Sequence, residues 1–271
     1  MTIEQSPLGK SVASPQSYDP AMLSVIARDG FGSRPDMPFT GEDIWNAYEL
    51  GWLDPHGKPR VALAEFRVPA DSYYLIESKS LKLYLQGFAQ TRFPDGEAVR
   101  ERMQHDLSVA AGAPVSTVLT PVASATKLAA FEPLQGALID DLPVDIDDYG
   151  PPQPELLTAD TGVIADEALV SYLLKSNCPV TGQPDWASIQ IRYRGPRIDR
   201  EALLRYLVSY RTHREFHEQC VERIFTDLMH QCAPSRLSVY ARYTRRGGLD
   251  INPFRATPGV PMPENPRSVR Q

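Results

Sequence analysis

The chain has 271 residues, 42% of them hydrophobic and 23% charged, with a formal net charge of −6. That balance supports one large domain or two medium ones and excludes general disorder. The charge argues against a broad nucleic-acid-binding surface, and no apolar run approaches the ~20 residues that cross a bilayer.

Residues 1–40 are polar and proline-containing and predict an extended arm. Segments 61–70 and 72–79 read as strands about a turn at Pro69–Asp71, a hairpin. In 80–90, Leu81, Tyr84, Leu85 and Phe88 recur at helical spacing, with Ser80 as the expected N-cap. A helix over 96–111 and a strand over 115–122 follow. The stretch 140–155 is acidic and carries four prolines. It reads as a linker, so the expected division is an arm (1–40), a module (41–139), a linker (140–160) and a second module (161–271). In the second module 167–174 and 186–194 read as strands, 199–209 and 212–232 as helices, and 235–246 as a strand. The two halves share an order of strand, strand, helix, helix, strand. The expected class is therefore α+β, with two modules that are each an antiparallel sheet carrying helices on one face.

Cys178, Cys220 and Cys232 are the only cysteines, and none lies in a C-x-x-C pair. No disulfide framework or zinc ribbon is expected, and a reducing cytosol fits. The N-terminus lacks the basic and apolar pattern of a secretory signal. Cys178 stands between Asn177 and Pro179 on a predicted loop, where a thiolate can meet a ligand, and Asp185 is the nearest carboxylate. The plainer reading is a small buried side chain beside a turn residue. His213 and His217, four apart, are expected on one helical face, but no third metal ligand accompanies them. Glu218 beside His217 can accept paired N–H groups of a guanine-like edge; taken alone, it reads rather as a solvated helix charge. Glu77, Ser78, Lys79 and Ser80 open a predicted helix whose N-terminus favours phosphate, or simply cap it. Arg245 and Arg246 precede Gly247 and Gly248, a flexible turn with two guanidiniums suited to phosphate; taken alone, they read rather as surface arginines at a strand end. No G-x-G-x-x-G follows a strand and no Walker A motif is present, so a Rossmann cofactor site is not expected.

Together, ESKSLKLY (77–84), the SNCP…D segment (176–185), FHE (216–218) and RRGG (245–248) resemble the NADPH-dependent 7-cyano-7-deazaguanine reductases, in their long two-module form. The resemblance spans roughly 40–260. It implies two tandem tunnelling-fold modules, a cytoplasmic homodimer, and NADPH as co-substrate without a metal. The substrate would be a small deazapurine, with no direct nucleic-acid or membrane partner. It further implies that Cys178 attacks the nitrile to form a thioimide while Asp185 moves protons. Ile76, Glu77, Ser78, His217 and Glu218 would bind the substrate, and Ser78, Lys79, Arg246 and Gly247 the NADPH. The alternatives are a pterin-type cyclohydrolase of the same fold class and a non-catalytic purine-binding module.

Overall fold

The computed structural model describes residues 15–28, 38–125 and 131–271. Its strands are β1 (Val25–Ala27), β2 (Thr40–Leu53), β3 (Pro59–Pro69), β4 (Tyr74–Ile76), β5 (Ser116–Pro121), β6 (Ala137–Leu138), β7 (Ala159–Ser171), β8 (Lys175–Asn177), β9 (Pro184–Ile198), β10 (Arg236–Tyr243) and β11 (Leu249–Ala256). Its helices are α1 (Ser78–Phe88), α2 (Gly96–Ala111), α3 (Val122–Ala125), α4 (Arg200–Val208) and α5 (His217–Cys232). Among the described residues the chain forms two compact units. One holds 15–28, 43–125 and 245–250, and the other holds 38–42, 131–244 and 251–271. Both are α+β.

In the first unit β3 lies between β2 and β5, and the β3–β5 pairing is antiparallel. The helix expected over 96–111 forms over those residues. Asp95 accepts from the Ala98 amide, and Gly112 ends the helix at φ 65°, the left-handed value that favours glycine. The 61–70/72–79 hairpin does not form. The turn is there, with the Ser72 amide on the Pro69 carbonyl, but β4 turns away and pairs with β1. So residues 25–27 of the expected arm are sheet, and a buried Arg28–Asp43 ion pair at 2.6 Å adjoins them. Residues 1–14 and 29–37 of that arm lie outside the described residues. The long strand β2 had no counterpart in the expectations.

In the second unit the strand order is β11-β10-β9-β7-β6, antiparallel except for β6 with β7, and β8 pairs with the start of β9. Alternate residues Ala187, Ile189, Ile191 and Tyr193 of β9 join Leu237, Val239, Ala241 and Tyr243 of β10 in one core. On β10 the intervening Ser238, Tyr240 and Arg242 are buried as well, so its other face is also covered. The alternate positions are the face turned to the helices. The covering residues come from α4 (Leu203, Leu204, Leu207) and α5 (Val221, Ile224, Phe225, Leu228). Residues of the expected linker pack on this same core: Leu157 is buried in it, and Leu142, Val144 and Ile146 lie against it, as does the buried Ile139 that closes the expected first module.

Candidate active site

Cys178 sits where β8 turns into β9. The register pairs Lys175 with Trp186, Ser176 with Asp185 and Asn177 with Pro184. Beyond the last pair the Cys178 amide donates to the Gln183 carbonyl at 2.8 Å, and the Gly182 amide returns a bond to the Cys178 carbonyl at 3.0 Å. Gly182 has φ 69°, so the tight closure suits glycine. Residues two apart on a strand share a face. Cys178 therefore points the same way as Ser176, and Asp185, opposite Ser176, points there too. Such diagonal neighbours lie about 7–8 Å apart, close enough for one small group to meet both. Cys178 is 6% exposed and Asp185 4%. The Thr181 amide lies 3.5 Å from the Cys178 sulfur.

The segment before α5 is stitched to β8. The Asn177 amide donates to the His213 carbonyl at 2.8 Å, and the Glu215 amide to the Asn177 carbonyl at 3.2 Å. Asn177 also donates from its side chain to the carbonyls of Arg211 and His213. The Glu215 carboxylate is held by Arg223 at 2.6 Å and by His213 at 3.0 Å. Burial alone would raise its pKa; the bonds from His213 and Arg223 outweigh that and hold it below the usual range. The stitching fixes where α5 begins, and its first residue, His217, brings Nε2 within 3.3 Å of Asp185 Oδ2. The imidazole lies flat on the Tyr243 ring, with centroids 3.9 Å apart and planes at 18°. Glu218, in the first turn, is 4% exposed. The second unit thus gathers Cys178, Asp185 and His217 on and over one hairpin. His213 and His217 do not share a helical face: His213 ends a 3-10 turn before α5 starts, and it faces Glu215.

The first unit holds the other expected residues. Glu77, not Ser80, caps α1, with one carboxylate oxygen accepting from the Lys79 amide at 2.7 Å and the other from the Ser80 amide at 2.8 Å. Ser80 instead bonds its hydroxyl to the Glu77 carbonyl and receives the Ser24 amide. Burial raises the Glu77 pKa above the carboxylate norm, against the pull of those two amides and of Lys82 and Lys79. Ile76 is buried just before it. Gly247 and Gly248 have φ values of 56° and 76°, a two-residue turn of the type that needs positive φ twice. Arg246 and Leu249 exchange backbone bonds across it. A Cβ on Gly247 would stand 3.3 Å from Lys82 Nζ, so the bare glycine lets a lysine of α1 lie against the turn.

The chain matches the family described as "Nitrile reductase, 7-cyano-7-deazaguanine-reductase N-term" over residues 14–119 and "QueF-like protein" over 184–259. Proteins named "NADPH-dependent 7-cyano-7-deazaguanine reductase" are similar along the whole chain. The one from Azoarcus sp. (strain BH72) is 56% identical, over 99% of this chain and 96% of its own length. The one from Bordetella avium (strain 197N) is 54% identical over 100% of both. The chain belongs to this reductase family. The apo structure of the archaeosine synthase QueF-Like is 19% identical, covers 36% of this chain and 96% of that chain, and has a TM-score of 0.32.

Two residues of this reductase-family chain escaped the sequence reading. Lys82 could have been found, since it follows Lys79 by three residues and so shares its face of α1. Tyr243 gave no signal, because an aromatic residue at a strand end reads as core. Among the described residues no group of three or more His, Cys, Asp or Glu is arranged to hold a metal.

Proposed function

We propose that this chain reduces the nitrile of 7-cyano-7-deazaguanine to 7-aminomethyl-7-deazaguanine with NADPH, within queuosine biosynthesis. The family membership supports the reaction, and the hairpin that turns the Cys178 thiol and the Asp185 carboxylate to one side supports the route. The nitrile is a poor hydride acceptor. Addition of the Cys178 S–H across it makes a C–S bond, puts the proton on nitrogen and leaves a C=N group that accepts hydride more readily. NADPH supplies hydride twice, one from each of two molecules. Between the two the C–S bond breaks and returns the thiol, and two further protons complete the amine. Asp185 is the proton carrier in this reading, with His217 at 3.3 Å to share and restore its proton.

Glu77 and Glu218 then read the donors of the deazaguanine ring, with Ile76, Ser78 and His217 beside it. Both Glu77 oxygens already serve the α1 cap, so the ring would use their remaining lone pairs. Ser78, Lys79, Arg246 and Gly247 hold NADPH. The fit is physical: α1 offers its N-terminus, the cations of Lys79 and Arg246 suit phosphates, and Gly247 leaves open the space a Cβ would fill beside Lys82. The reading carries with it two tandem tunnelling-fold modules, a homodimer and a cytoplasmic location. No helix among the described residues is long and apolar enough to cross a membrane.

The test is intact-mass analysis after mixing the protein with the cyano-deazaguanine. An adduct of the substrate's full mass on Cys178 is expected, absent in Cys178→Ala together with substrate-dependent NADPH oxidation. Full turnover by Cys178→Ala would end the thioimide route.

A further inference from the structure

His217 is aimed at Asp185 by something other than its backbone, since an imidazole at the first position of a helix retains free side-chain torsions. The restraint visible around it is Tyr243. This residue ends β10 and is 1% exposed, and its cross-strand partner on β9 is Ala187, whose small side chain leaves room for the ring. Asp185 lies two residues before Ala187 on the same face, diagonal to Tyr243. From α5, His217 lies flat on the ring, and Cys220, one turn on, approaches the same tyrosine with Ser176 of β8. The ring is thus fixed by the sheet on one side and offers its face to the imidazole on the other. Its buried hydroxyl lies by Ser176 and Cys220 and makes no hydrogen bond of ordinary geometry. The hydroxyl therefore contributes little to holding the ring, which is held by packing.

We propose that Tyr243 is a positioning residue for proton transfer: the plane of its ring sets the plane of the His217 imidazole and so keeps Nε2 in reach of Asp185. The proposal rests on the reading of Asp185 as the proton carrier. The ring does the positioning and the hydroxyl does not, so phenylalanine should substitute and an aliphatic side chain should not. A misaimed imidazole slows the proton transfer, while Glu77 and Glu218, which read the ring, are untouched, so the loss belongs chiefly in kcat.

Steady-state kinetics of Tyr243→Phe, Tyr243→Leu, His217→Asn and the Leu/Asn double variant test this. Tyr243→Phe should keep kcat within about twofold, and Tyr243→Leu should lower kcat about tenfold with the nitrile KM little changed. The double variant should be no slower than His217→Asn alone, because the two residues act as one. Losses that multiply, or a Tyr243→Phe as slow as Tyr243→Leu, would overturn the proposal. If His217→Asn itself runs at full rate, the reading of the site fails, and that outcome is distinct from the other two. Should Tyr243→Leu not fold, the wild-type protein still decides. Its His217 Cε1 proton, assigned by its loss in His217→Asn, should resonate upfield of ordinary imidazole because it lies over the tyrosine ring. A resonance at the ordinary position would show that the stack is absent in solution and reject the proposal.

Discussion

The helices α1 and α5 each carry, at their start, a buried glutamate expected to read the substrate, yet they begin in different ways. At α1 the glutamate is the cap: Glu77 holds the amides of Lys79 and Ser80 with both its oxygens. At α5 the cap position is Phe216, which makes no side-chain cap bond, and Glu218 stands one residue inside the first turn. A cap residue is tied to the folding of its helix, so Glu77 carries structure and recognition at once. Glu218, inside the first turn, is not the cap, and its charge favours the helix terminus, a weaker tie than a cap. The contrast separates two kinds of buried carboxylate at one sort of place.

The largest expected effect lies beyond both helices, at the β9 carboxylate that α5 meets through His217. Asp185→Asn should leave nitrile binding nearly intact and slow turnover by about 100- to 10,000-fold, the range of general acid–base assistance. Single-turnover rates with a separate binding titration would check it. A normal rate would mean that the His217–Asp185 contact is structural.

The glutamates themselves come next. Glu77→Ala should lower stability by about 1–2 kcal/mol, since two amide donors lose their acceptor. Glu218→Gln should cost less than about 1 kcal/mol, the range of a first-turn charge. Both should raise the nitrile KM, about tenfold for each 1.4 kcal/mol of lost recognition. Urea unfolding beside KM measurements separates the pair. Equal stability losses would erase the distinction between cap and first-turn charge. A smaller effect is expected at the glycine turn: Arg246→Ala should raise the NADPH KM a few-fold while sparing the nitrile KM, and the reverse pattern would reassign that arginine.

How far the sequence reaches is visible in these same elements. Helix α2 was legible end to end, because Asp95 and Gly112 are ordinary caps. The start of α1 was misplaced by two residues. Cap preferences favour Ser over Glu, and nothing local announces that a longer carboxylate will span two amides. Strand β2 was missed because TGEDIWNAYELGWL mixes Gly, Asp, Glu and Asn into its run, and its buried Asp43 is paired with Arg28, fifteen residues earlier in the chain. The false hairpin at 61–79 had a true turn; strand partners are chosen by the whole fold, and β1 is only three residues long, inside an arm that is polar on the whole. At the site, the order of Cys178, Asp185, His217 and Glu218 was readable. The stitching of 213–215 onto β8, which brings His217 to Asp185, was not, because it runs through backbone groups that carry no residue signature.

That stitching supplies the gentlest way to sharpen the contrast between the helices. Lacking a side-chain cap, α5 depends on the segment before it, and Glu215 clamps that segment through His213 and Arg223. The folded protein holds the Glu215 pKa below its ordinary value because those partners outweigh burial. A carboxyl depressed in the folded state binds protons more readily when unfolded. Its contribution is therefore complete above the unfolded value of about 4.3 and is lost as pH falls through the lower folded value. Glu215→Gln should then cost about 1 kcal/mol at pH 7, the smaller end of a charge-assisted bond because Arg223 is nearly half exposed. At pH 3 the difference from wild type should shrink, since the wild-type clamp is itself failing there. Urea unfolding at the two pH values gives the comparison directly. A deficit that stays constant from pH 7 to pH 3 would mean that the charge on Glu215 does not hold the segment, and that α5 is set in place by the amide bonds to Asn177 alone.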